Sequence, residues 1–159
     1  MKSFPPIMPR DPRVLILGSM PGEESLRRGQ YYAHPRNAFW PIMAALLEEP
    51  LPAVYKARTE LLVRHSIAVW DVVGSCFREG SLDQNIRSET LNDFAALFAD
   101  FPEIRHVFCN GTAAYTLFTR NIHLPSDIGL TRLPSTSPAH AVPFEKKLEA
   151  WRQVTAFLR

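Results

Sequence analysis

The chain has 159 residues, 46% of them apolar and 21% charged, with a formal net charge of +2. That composition excludes a fibrous or intrinsically disordered protein and fits one domain over 1–159; the slight positive balance is compatible with nucleic acid without requiring it. Cys76 and Cys109 lie far apart, outside any CxxC or Cys/His cluster, and no run reaches transmembrane length, so the expectation is a soluble, cytoplasmic protein with reduced thiols and no metal or membrane partner.

Residues 1–12 hold four prolines and read as an irregular lead-in. Residues 13–17 are nearly all apolar, as in a strand buried on both faces. Behind them runs GSMPGEESLRRGQYYAHPRNAFW, residues 18–40, a long loop rich in groups that contact flat polar ligands: Gln30, Tyr31, Tyr32, His34, Arg36 and Asn37. Open α/β sheets bind ligands at the carboxyl edge of their strands, so this loop is expected to carry the site. Phe39, Ile42, Met43, Leu46 and Leu47 mark a helix over 38–48, with Asn37 at the N-cap position, and a second helix is expected over 53–65. A strand at 67–70 ends at Asp71, and the polar, glycine-punctuated stretch 74–86 reads as a loop. Leu91, Phe94, Ala95 and Phe98 suggest a helix closed by Phe101-Pro102. A strand at 105–109 ends at Asn110-Gly111, and Thr112 caps a helix to about residue 119. The fourth strand, 128–133, runs into Pro134-Ser135-Thr136-Ser137-Pro138-Ala139-His140, and Phe144, Leu148, Trp151, Thr155 and Leu158 line a closing helix.

This alternation predicts an α/β fold, a three-layer α/β/α sandwich on a mainly parallel four-stranded sheet. The loops beginning at Gly18, Asp71, Asn110 and Pro134 should then open on one edge. Gly18-Ser19-Met20-Pro21-Gly22 is neither a GxGxxG turn nor a P-loop, so no nucleotide cofactor is expected. On position alone, Asn37 is more simply a helix cap than a catalytic group, and Asp71 and Asn110 are ordinary polar strand ends. The 134–140 segment suits phosphate through free N–H groups and hydroxyls, while Lys146, Lys147 and Arg152 read as a solvated helix face.

Taken together, Gly18-Ser19-Met20-Pro21-Gly22, Tyr32-Ala33-His34-Pro35-Arg36-Asn37-Ala38-Phe39-Trp40, Trp70-Asp71-Val72-Val73-Gly74-Ser75-Cys76 and Pro134-Ser135-Thr136-Ser137-Pro138-Ala139 resemble the uracil-DNA glycosylase superfamily, above all its branch that excises hypoxanthine, the DNA-deoxyinosine glycosylases. Four motifs in order across residues 13–158 carry the resemblance. It implies hydrolysis of the N-glycosidic bond of deaminated bases in DNA by a monomer without cofactor. Met20 stands where mismatch-specific uracil glycosylases place a water-positioning asparagine, a task a thioether cannot perform. The resemblance therefore implies Asn37 as the catalytic asparagine and Tyr32 as the aromatic that stacks on the extruded base. Gly18, Ser19, Met20 and Asp71 would border that base, with Ser135, Thr136, Ser137, Pro138, His140, His34 and Arg36 on the DNA. No lysine lies in the four motifs, which predicts simple hydrolysis without a Schiff base. Three alternatives stay open: a G/U mismatch-specific uracil glycosylase, a nucleoside hydrolase, and a non-catalytic nucleic-acid binding domain.

Overall fold

The computed structural model of the protein describes residues 1–158, the side chain of Ser88 excepted. In chain order its elements are β1 (Val14–Gly18), α1 (Glu23–Arg28), α2 (Phe39–Leu46), α3 (Tyr55–Arg64), β2 (Ile67–Asp71), β3 (Val73–Phe77), β4 (Arg87–Leu91), α4 (Phe94–Asp100), β5 (His106–Asn110), α5 (Thr112–Asn121), β6 (Gly129–Leu133) and α6 (Phe144–Trp151), the last continued by a 3-10 stretch.

The main sheet has the order β2-β1-β5-β6, parallel throughout. Successive strand residues point to opposite faces, so β1 sends Val14 and Ile16 one way and Leu15 and Leu17 the other. Val14 and Ile16 pack with Phe39, Ile42 and Met43 of α2 and with Leu148 and Trp151 of α6. Leu15 and Leu17 pack with Phe94, Leu97 and Phe98 of α4 and with Ala114 and Phe118 of α5. Both faces are buried, which explains why the first strand is apolar without alternation. Between β1 and β5 the chain changes its direction of travel across the sheet, and such a switch point leaves a crevice at the carboxyl ends.

Three expectations from the sequence are corrected. The 18–40 loop contains α1, whose EESLRR sequence places Glu23 and Glu24 in the first turn and Arg27 and Arg28 in the last, matching the helix dipole; Gly29 closes it at φ 65°. The 74–86 stretch is not all loop, because β3 pairs antiparallel with β4 in a separate two-stranded sheet, with two register irregularities. Those irregularities, together with Gly74 inside β3, hid the alternation that would have marked a hairpin. Leu91 accordingly ends β4, and α4 begins only at Phe94, where Asp93 accepts the Ala96 N–H at 3.0 Å. No helix of the described residues is long and apolar enough to cross a membrane.

The lead-in does pack against the domain. Ile7 bridges to Val69 and Lys2 to Ser75, and the Phe4 carbonyl accepts the Trp70 indole N–H at 3.1 Å. The Tyr31 hydroxyl donates to the Pro5 carbonyl at 2.8 Å, which anchors the loop before Tyr32.

Candidate active site

A cleft of about 630 Å³ opens at the switch point, lined by residues that follow all four parallel strands: Gly18 and Ser19, Asp71, Asn110, and Ser135 to Ala139. The residues expected to border a base or DNA line it with one exception, His140, which lies instead in an adjoining cleft of about 300 Å³ together with Arg36, Asn37 and Pro138.

The floor is a tight polar cluster. Tyr32 adopts φ 54°, a conformation uncommon for a bulky residue, and its ring stacks on Phe39 at 4.1 Å between centroids. The phenol end runs down to Gly18: a Cβ there would lie 3.0 Å from Tyr32 Oη and 2.5 Å from Asp71 Oδ1. Only glycine lets these two side chains meet over the end of β1. Tyr32 Oη and Asp71 Oδ2 are both buried with no hydrogen-bond partner among the described residues. Buried polar groups are nearly always paired, so two orphans side by side in a cleft suit a polar ligand. Asp71 is 3% exposed, and burial, reinforced by the nearby Asp83 charge and opposed by Arg78, pushes its carboxyl up to about 7. Burial first, and then the Asp71 charge, likewise raise the Tyr32 hydroxyl, with the Asn110 side chain pulling the other way.

One wall comes from the β3–β4 connection, through Ser81, Leu82 and Asp83. Ser19 Oγ donates to Asp83 Oδ1 across the cleft, and the Ser81 hydroxyl accepts the Glu23 N–H at 2.7 Å. Arg78, with a wholly buried side chain, donates to the Gly80 carbonyl at 3.0 Å and to the Pro21 carbonyl, tying this wall to the first motif. Met20 is buried beside Val73 and Cys76 under the same wall. Arg78, Ser81 and Asp83 carry no signal in the sequence, because the polar, glycine-punctuated run around them has the pattern of a plain loop.

Asn37 stands one residue ahead of Ala38, the N-cap of α2, rather than at the N-cap itself, and it both bonds the helix start and faces the cleft. Its Oδ1 accepts the Phe39 N–H at 2.9 Å, an orphan donor at the start of α2, while the residue lines the cleft. The capping bond fixes the carboxamide's orientation and occupies one of the carbonyl's two lone pairs. His34 Nδ1 accepts the Arg36 N–H at 3.0 Å, forming the turn that presents Asn37.

The opposite wall is the 134–140 segment, and here one expectation fails. Four of its N–H groups are not free: Thr136 N–H donates to Asn110 Oδ1 at 2.9 Å, Ser137 N–H to Ser135 Oγ at 3.1 Å, Ala139 N–H to Ser137 Oγ at 3.2 Å and His140 N–H to the Ser137 carbonyl at 3.0 Å. The serine hydroxyls act as acceptors within the loop, which leaves their own protons as its outward donors. Lys147 is a second correction. Rather than being solvated, it is 4% exposed, and its Nζ donates to the Ser137 carbonyl at 3.1 Å. Trp151, wholly buried, donates its indole N–H to the Pro134 carbonyl at 2.9 Å. The loop is thus stitched to α6 and β5; its stiffness comes from side chains beyond the motif.

A parallel sheet with its cleft at the switch point, walled by these four motifs, has direct counterparts. Residues 5–159 match the family model of the uracil DNA glycosylase superfamily, and the chain belongs to that superfamily. Two relatives are each named hypoxanthine DNA glycosylase. The one from Methanosarcina barkeri is 40% identical over 111 residues, 69% of this chain and 70% of that protein; the one from Methanosarcina acetivorans is 33% identical over 156 residues, 96% of each. The solution NMR structure of a Methanosarcina acetivorans protein described as a candidate uracil DNA glycosylase superposes with a TM-score of 0.84 at 32% identity, covering 99% of this chain and 97% of that one.

Proposed function

We propose that the protein is a monofunctional DNA glycosylase that removes hypoxanthine from DNA, with Asn37 placing the attacking water and Tyr32 stacking on the extruded base. Two relatives bearing the name hypoxanthine DNA glycosylase support the substrate class. The observation that carries the reading is that Tyr32, Asn37 and Asp71 border one cleft although Asp71 ends β2, far along the sequence from the other two.

A glycosidic bond inside a duplex cannot be reached, so the nucleotide must swing out into a pocket and be read there. Cleavage builds positive charge on the sugar and negative charge on the departing base. The free lone pair of the Asn37 carbonyl can hold a water at the anomeric carbon, and the capping bond means that no reorganisation is needed to do so. On the base side, an ionised Asp71 would repel the departing anion, whereas a protonated one donates a hydrogen bond to it. A carboxyl poised near neutrality holds that proton in a large share of molecules.

Oligonucleotides carrying one hypoxanthine, uracil, xanthine or mismatched thymine, assayed for alkali-labile abasic sites, test the reading. Excision of hypoxanthine ahead of the others is expected, with no release from free inosine. Uracil excision restricted to G/U mismatches, release from the nucleoside alone, or binding without cleavage would each replace it with one of the alternatives. Borohydride should trap no covalent complex, since Lys147, the lysine of the adjoining cleft, is engaged with the Ser137 carbonyl.

A further inference from the structure

The smaller cleft beside Asn37 has properties that the base pocket lacks. It adjoins the main cleft, with Arg36, Asn37 and Pro138 lining both. Arg36, Lys147 and His140 line it with no carboxylate, whereas Glu23, Glu24, Asp71 and Asp83 line the main cleft. None of these three basic side chains is in an ion pair among the described residues. Burial lowers the Lys147 ammonium from its usual range, and Arg36 is the exposed guanidinium of the cleft. Phe144, at the start of α6, is 39% exposed and belongs to none of the core clusters. An aromatic face kept out of the core and beside basic side chains that no carboxylate neutralises matches the stacking platforms on which single-stranded nucleic acid lies.

We propose that this cleft is a second nucleotide subsite for single-stranded substrate, which takes the nucleotide adjoining the extruded one, with its phosphate on Arg36 and its base against Phe144. The inference rests on the glycosylase reading and adds the path of the strand: the phosphodiester chain leaves the base pocket past Asn37 and Pro138, away from Glu23 and Glu24. A polyanion takes the cationic exit.

The test uses three single-stranded oligonucleotides with one hypoxanthine: one internal, one with the 5′ flank removed and one with the 3′ flank removed. For the unaltered protein, removing one particular flank should raise the half-saturating concentration in single-turnover excision about five- to tenfold. Phe144→Ala should show that weakening on the intact substrate and respond no further to the same truncation, while Phe144→Tyr, which keeps the ring, should behave like the unaltered protein. Arg36→Ala should reduce the slope of log affinity against log salt by about one, and Phe144→Ala should leave that slope unchanged. If Phe144→Ala responds to both truncations as the unaltered protein does, or if Phe144→Leu matches Phe144→Tyr, the stacking subsite is wrong. If the unaltered protein excises hypoxanthine from none of the three, the glycosylase reading falls, and the subsite with it.

Discussion

Asn110 grips Thr136 at two points: its Nδ2 donates to Thr136 Oγ1 at 3.0 Å while its Oδ1 accepts the Thr136 N–H at 2.9 Å. One carboxamide at the end of β5 thereby holds the loop that follows β6. Asn110→Ala leaves the N–H of a residue only 1% exposed without a partner, which should destabilise the fold by about 1–3 kcal/mol. In urea melts Thr136→Val should cost less, because it keeps the N–H bond. In DNA titrations Asn110→Ala should weaken binding more than it slows the bound complex.

Asn37 is expected to separate stability from chemistry. Asn37→Ala removes both the cap and the water site and should cost about 1 kcal/mol of stability and about 100-fold or more in single-turnover excision. Asn37→Ser keeps a side-chain oxygen for the Phe39 N–H, so thermal melting should recover while excision does not. Excision by Asn37→Ser at the original rate would remove the residue from the chemistry.

For Asp71 the sign of the pH effect follows from its raised pKa. The folded protein binds this proton up to about pH 7, whereas the unfolded chain releases it near the ordinary value of 3.8, so the folded state holds more protons between them and stability falls as pH rises through that window. Asp71→Asn removes the titration and should be more stable than the unaltered protein by about 1–3 kcal/mol at pH 8, with a smaller gain at pH 5. Excision should decline above about pH 7 in the unaltered protein and lose that decline in Asp71→Asn. An unchanged profile would separate Asp71 from the departing base.

Gly18→Ala forces a methyl group to within 2.5 Å of Asp71 Oδ1. Overpacking of this kind costs about 1–3 kcal/mol, and because the strain falls on the cleft floor, excision should suffer more than the melting temperature indicates. Equal loss in both measurements would mark the glycine as merely structural.

The parallel sheet was legible because β1 and β5 are short, apolar and buried on both faces, a pattern that few other arrangements share. The cleft followed from topology: once the strands were placed, the loops after Gly18, Asp71, Asn110 and Leu133 had to meet. What remained hidden depends on partners distant in sequence. Lys147 has the same local spacing as any solvated helix residue, and only the Ser137 carbonyl, delivered by another element, explains its burial. Asp83 reaches Ser19 across 64 residues of sequence, from a hairpin whose bulges erase the two-residue period. Asn37 posed a different difficulty, since capping and lining a cleft make the same demand on a side chain, and sequence position cannot separate them.

The two sides of the cleft hang from different supports. Asn37 rides at the head of a helix packed on the large sheet, whereas Ser81, Leu82 and Asp83 hang from the small hairpin sheet, joined to the rest near the cleft by Arg78 and Ser19. Lengthening or rewriting the hairpin tip therefore reshapes one wall of the cleft while Asn37 keeps its place on the large sheet, and any change at Asp83 also alters the field at Asp71.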